Sequence, residues 1–167
     1  LKEQMPEIDA VLGTGEIPDI VGAIGSSFVP LLRANGSAIT GDSRLPTYLY
    51  DAETPRLLAT PRHYAYVKIA EGCDYKCAFC IIPKTRGRER SKTVAWVVEE
   101  AQKREAEGVR EVVITGTQLG HYGSDIGVRL SDLMSALLRE TGIRRIRMSS
   151  VQPQDLDGAL IDLWQDP

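Results

Sequence analysis

The sequence predicts an α/β fold with parallel strands over residues 63–167, and three observations carry that prediction. Short apolar runs at 65–70, 111–115 and 143–149 have the length and composition of strands. Segments of helical periodicity follow each later run or separate one from the next. Capping residues and glycines punctuate the joins. Strand, helix, strand in that order implies parallel pairing through right-handed crossovers. Three strands cannot close a barrel, so the sheet is read as open or as part of a larger β/α barrel.

Each element has its own signal. Residues 93–107 read as a helix with Val94, Val97, Val98 and Ala101 on one face, Glu99–Lys103 and Glu100–Arg104 as i,i+4 pairs on the other, and Gly108 at the end. Ser131 is expected to cap a second helix whose Leu133, Met134, Leu137 and Leu138 face the core, with Gly142 stopping it. In the run 143–149, Ile146 and Met148 alternate with Arg145 and Arg147. Asp155 is expected to cap a third helix containing Leu156, Leu160, Ile161 and Trp164. Upstream, 8–12 reads as a strand, 17–24 as a short helix with Pro18 in its first turn, and 25–62 as a linker rich in Gly, Ser, Pro and Thr.

The 167 residues are 43% hydrophobic and 26% charged, enough for one domain with a real core. The net charge of −3 excludes a global electrostatic footprint for nucleic acid, so any such contact would be local. One candidate exists at 81–92, where Lys84, Arg86, Arg88, Arg90 and Lys92 stand against Glu89. The alternative for this run is a solvated loop. No stretch has the apolar length of a membrane span and no signal-peptide pattern opens the chain, so a cytoplasmic protein without membrane contact is expected. A monomer is expected. The abrupt ends, Leu1 and Asp166-Pro167, suggest a piece of a longer protein.

All three cysteines lie in Cys73-Asp74-Tyr75-Lys76-Cys77-Ala78-Phe79-Cys80, directly after the first strand. Three thiolates so spaced hold three corners of a four-iron four-sulfur cluster and leave one iron for another ligand. In radical S-adenosylmethionine (SAM) chemistry that ligand is the amino and carboxylate groups of SAM. One electron then cleaves the sulfonium and yields a 5′-deoxyadenosyl radical that abstracts hydrogen from an unactivated C–H bond. The competing reading is zinc held by the three cysteines with His63 or His121. Zinc sites more often come as paired C-x2-C knuckles.

The residues around the cysteines carry a longer pattern. Tyr66-Val67-Lys68-Ile69-Ala70-Glu71-Gly72-Cys73 with Ile81-Ile82-Pro83-Lys84-Thr85-Arg86-Gly87-Arg88-Glu89-Arg90-Ser91 resembles the methylthiotransferases, radical SAM enzymes that insert sulfur into a C–H bond and methylate it. The resemblance implies part of a radical SAM (β/α) barrel at 63–167, preceded by a linker at 28–62 and by the tail of an amino-terminal α/β methylthiotransferase domain at 1–27. It implies SAM and its cluster on Cys73, Cys77 and Cys80, with Phe79 against the adenine and Gly116, Thr117 and Gln118 bordering the SAM methionine or ribose. A second, auxiliary cluster is expected on cysteines upstream of this sequence, and an external electron donor such as flavodoxin or ferredoxin. No catalytic acid, base or nucleophile is singled out, and the 167 residues alone are expected to be inactive.

Two substrates remain open on the same resemblance. Residues 115–123, Thr-Gly-Thr-Gln-Leu-Gly-His-Tyr-Gly, and 147–153 look like the branch acting on threonylcarbamoyl-modified adenosine 37 of tRNA. The opening Val11-Leu12-Gly13-Thr14-Gly15 and the approach at 60–66 look like the branch acting on an aspartate of a small-subunit ribosomal protein. Because loops after strands border the ligand, the expectation places tRNA first, with Arg86 and Arg88 as its phosphate contacts, and the ribosomal protein second. A zinc-binding, non-enzymatic RNA module is the reading from outside enzymes.

Overall fold

The computed structural model describes residues 49–50 and 59–165. The expected strand at 8–12, the helix at 17–24, the domain tail at 1–27 and most of the linker lie outside the described residues. Two compact units share them. Tyr75–Gly87 belongs to one, and Leu49–Asp74 with Arg88–Pro167 forms the other.

The larger unit is built on a parallel sheet. Strands β1 (Tyr64–Lys68), β4 (Glu111–Thr115) and β5 (Arg145–Met148) lie in the order β1-β4-β5. Tyr64 faces Glu111 in register, and Glu111 faces Arg145. The run expected at 65–70 divides at Ile69. Beyond it β2 (Ala70–Glu71) turns to pair antiparallel with β3 (Arg90–Ser91), so the chain leaves the sheet just before the cysteines.

Helix α2 (Val94–Ala106) follows, after the short α1 (Ile82–Thr85) of the smaller unit. Thr93 caps α2, its hydroxyl accepting from Trp96 N at 3.3 Å. Val97, Val98 and Ala101 are buried as expected. Glu100 and Arg104 are buried too, which corrects their placement on the solvent face. For Glu100 the reason is Lys92, whose ammonium is completely buried 2.8 Å from the Glu100 carboxylate, while Arg104 pairs with Glu107 at 2.8 Å. Lys92 is therefore not part of an exposed basic run.

Helix α3 (Leu130–Glu140) buries Leu133, Met134 and Leu137 against α2 and the sheet. Its N-cap is Arg129 rather than Ser131, because the Asp132 carboxylate accepts from Arg129 N at 2.9 Å and starts the helix earlier. Its C-cap is Thr141, whose hydroxyl donates to Leu137 O at 2.8 Å. Gly142 does a different job from the expected stop signal. A Cβ there would lie 2.3 Å from Glu105 Oε1, so glycine admits the carboxylate that accepts from its own N–H. Asp155 likewise ends a 3-10 turn, Pro153–Asp155. The cap of α4 (Gly158–Asp162) is Asp157, which accepts from Leu160 N at 2.6 Å.

The core sits where the two main helices meet one face of the sheet. Val67, Val112, Ile114, Val97, Leu133 and Leu137 are its center, all with essentially no exposed surface. No helix among the described residues is long and apolar enough to cross a membrane.

Candidate cluster and SAM site

The cysteine loop begins at a position chosen by backbone geometry. Gly72 has φ +85°, a conformation that costs an L residue energy and glycine little, and it turns the chain from β2 into Cys73. Its N–H donates to Glu71 Oε1 at 3.2 Å. The same oxygen accepts from Thr117 Oγ1 at 3.1 Å, and Lys68 pairs with the other carboxylate oxygen. Buried Glu71 therefore ties the entry of the cysteine loop to the loop after β4. Gly116 lies against Ala70, and Gln118 donates to Asp155 Oδ2 at 2.9 Å. The structure thus brings Gly116, Thr117 and Gln118 beside the residues that lead into Cys73.

Asp74 is braced from the other side. Arg88 donates to its carboxylate through Nε at 3.2 Å and through Nη2 at 3.3 Å, and Glu89 N donates at 3.3 Å. The Arg88 hydrogen bond holds the Asp74 carboxyl below its ordinary pKa, against a smaller opposing effect of burial. Arg88 was expected to meet substrate phosphates, and here its guanidinium is engaged by the cysteine loop. Within the basic run Glu89 is buried and Arg90 half-buried, so it is not simply a solvated loop.

In the smaller unit Cys80 N donates to Cys77 O at 3.1 Å, which closes a tight turn through Ala78 and Phe79. Pro83 starts α1, and Arg86 caps its end through a backbone bond to Ile82 O at 2.8 Å. The Phe79 ring is 93% exposed, available to a flat ligand. Cys73, Cys77 and Cys80 are all free thiols, and Cys77 is exposed. Among the described residues no three His, Cys, Asp or Glu side chains already surround a metal position. The fit of an iron–sulfur cluster therefore rests on the donor chemistry: three soft thiols, none consumed in a disulfide, within one short loop.

Sequence reasoning missed one pair beside this loop. His121 Nδ1 lies 2.5 Å from Glu89 Oε2, and Ser124 Oγ lies 3.1 Å from the same nitrogen. Burial raises the Glu89 pKa, and the hydrogen bond to Glu89 raises that of His121. Glu89 Oε1 is buried without a hydrogen-bond partner. The pair is separated by 32 residues, and no local pattern signals it.

Two of the three glycines of residues 115–123 are explained by the fold. A Cβ on Gly120 would meet Asp155 Cβ at 2.2 Å, and Gly123 has φ +84° with Val128 O at 2.4 Å from a built Cβ. These positions need glycine whatever the substrate is. Their likeness to one branch of the family therefore carries little about what is bound.

A loop with three free cysteines, following a parallel α/β sheet in the chain, offers the soft donors that an iron–sulfur cluster takes. The family model described as the radical SAM superfamily matches residues 67–159, and the chain belongs to that superfamily. Its cofactors are a four-iron four-sulfur cluster and SAM. Among curated proteins the chain is 39% identical over 172 residues to the ribosomal protein uS12 methylthiotransferase RimO of Chlamydia caviae, covering 100% of this chain and 35% of that protein. It is 34% identical over 203 residues to RimO of Koribacter versatilis, covering 99% of this chain and 40% of that protein. The chain thus spans well under half the length of these relatives. A solved radical SAM methyltransferase, TsrM from Kitasatospora setae with tryptophan and a SAM analog bound, shares the fold with a TM-score of 0.57 at 19% identity, covering 92% of this chain and 34% of that one. The names of these relatives specify a ribosomal protein and not tRNA.

Proposed function

We propose that this chain is the cluster- and SAM-binding part of a methylthiotransferase that modifies an aspartate of ribosomal protein uS12. The observation that carries the reading is the similarity to proteins of that name along the whole chain, including both loops that had suggested tRNA. When bound, the cluster and SAM supply a one-electron hydrogen abstraction from an unactivated C–H bond. Cys73, Cys77 and Cys80 hold the cluster, and the exposed Phe79 ring offers a stacking surface for adenine. Gly116, Thr117 and Gln118 border the amino-acid end of SAM, held there by Thr117 on Glu71. Arg88 braces the loop through Asp74, and Arg86 remains a candidate for substrate contact. Electrons come from a separate carrier such as flavodoxin or ferredoxin, and sulfur from an auxiliary cluster outside these residues.

The test uses the full-length gene product, anaerobically reconstituted with iron and sulfide. Given SAM, a reductant and a uS12 segment, the enzyme should add one methylthio group to the aspartate, read by mass spectrometry. Modification of tRNA with no change in the uS12 segment would refute the substrate. A colorless protein holding stoichiometric zinc would refute the cluster.

A further inference from the structure

The parallel sheet has two unlike faces. One, formed by Ala65, Val67, Val112, Ile114, Ile146 and Met148, belongs to the core beneath α2 and α3. The other carries Tyr64 and Tyr66 from β1, Glu111, Val113 and Thr115 from β4, and Arg145 and Arg147 from β5. All-parallel sheets are ordinarily covered on both faces, and their strands then read as near-continuous apolar runs. This second face departs from that rule. Tyr66 is 46% exposed, and the side chains of Arg145 and Arg147 are 70% and 53% exposed. Packing apolar helices on it would strip water from two guanidiniums, a desolvation that one shared carboxylate does not offset. The face suits the wall of a chamber that holds a polar ligand.

Its charge is organized for one kind of ligand. Glu111 lies opposite Arg145 in register, and Val113 opposite Arg147. The Glu111 carboxylate meets both arginines, Arg147 Nε at 2.5 Å on one oxygen and Arg145 Nη1 at 3.6 Å on the other. One carboxylate thus holds two guanidiniums side by side and leaves one net positive charge. Together they carry far more N–H donors than a single carboxylate can accept. Arg145 and Glu111 are the first residues of β5 and β4, and Arg147 stands opposite Val113 in the middle of the sheet. The two arginines therefore lie on the wall below the carboxyl ends at which ligands of parallel α/β sheets bind. Tyr66 and Val113 share the row of Arg147 across the sheet.

We infer that Arg145 and Arg147, bracketed by Glu111, bind the carboxylate of the substrate aspartate and so determine specificity for an acidic residue. The occupant rests on the function proposed above; the anion preference rests on the face itself. Paired planar guanidiniums match a carboxylate bidentately, which a lysine cannot do.

The experiment compares a uS12 segment carrying aspartate with one carrying asparagine at the modified position, using the reconstituted full-length enzyme. With the natural residues, the asparagine segment should show kcat/KM at least about tenfold lower, mostly through KM, the scale of a lost charge-assisted hydrogen bond. In the Arg145→Gln/Arg147→Gln enzyme, checked for cluster content by its electron paramagnetic resonance spectrum, that ratio should fall toward one. Arg147→Lys, which keeps the charge and loses the fork, should retain only part of the discrimination and serves if the double variant fails to fold. An unchanged ratio in these variants, with the natural enzyme still modifying the aspartate segment, overturns the inference alone. An enzyme that modifies tRNA and ignores both segments overturns the proposed function and the carboxylate occupant with it.

Discussion

Replacing Glu100 by Ala should destabilize the larger unit by about 3 kcal/mol, and the size follows from how Lys92 is held. The Lys92 side chain is 0% exposed and that of Glu100 2%, with 2.8 Å between Nζ and Oε2. At an effective dielectric of about 20 the attraction is about 6 kcal/mol, a gain that taking two ions out of water largely cancels. The intact pair is therefore close to neutral for stability. Breaking it is not, because the ammonium stays buried while its carboxylate is gone, and such losses run about 3–5 kcal/mol. The Tyr50 ring lies 3.5 Å from Nζ and contributes a cation–π attraction of about 2 kcal/mol, which sets the expectation at the lower end. Urea denaturation followed by far-UV circular dichroism measures it. With a slope of about 1–3 kcal/mol per molar, the midpoint should fall by about 1–3 M at unchanged slope. The companion variant Lys92→Met/Glu100→Leu removes both charges and should recover most of the loss. A single variant within about 1 kcal/mol of the parent, or a double variant as unstable as the single, would refute the reasoning.

Other outcomes follow from the site. Replacing any one of Cys73, Cys77 or Cys80 by Ala should abolish cluster absorbance and SAM cleavage, since each is one of three thiolates; full cleavage by one such variant would remove it from the ligand set. Arg88→Gln should leave global stability within about 1 kcal/mol, because the side chain is 80% exposed, yet speed cluster loss in a chelator challenge as Asp74 loses its brace. Gly120→Ala should cost about 1–3 kcal/mol in the same urea assay by driving Asp155 and its turn away, and Asp155→Gly in the same chain should restore part of it. For His121 and Glu89 the folded-state pKa values are both raised, so each contributes most when protonated and loses that contribution as pH rises through its folded value. Stability should therefore decline upward from about pH 6.5 for the His121 contribution, and His121→Asn should flatten that stretch of the profile.

The sequence by itself determined the period of each element and the chemistry of its donors. The β4 strand falls at the residues its apolar run marked, α2 differs from its expected span only at its capped ends, and three cysteines on one short loop are soft donors whatever the coordinates. These are local properties: side chains two or about four residues apart share a face whatever the rest of the chain does. Tertiary structure alone decided the rest. Lys92 and Glu100 read as surface charges because their alternative, a buried ion pair across eight residues, needs the end of β3 packed beside α2. Arg88 reads as free until Asp74 is brought to it, and Glu89 until His121 is. Glycines at 120 and 123 look like a substrate signature until Asp155 and Val128 are seen to crowd them. The opposition of an apolar and a charged sheet face was written in the alternation of Ile146 and Met148 with Arg145 and Arg147, but only the register β1-β4-β5 set both arginines on one glutamate. Partners distant in sequence are selected by packing, which no local period encodes.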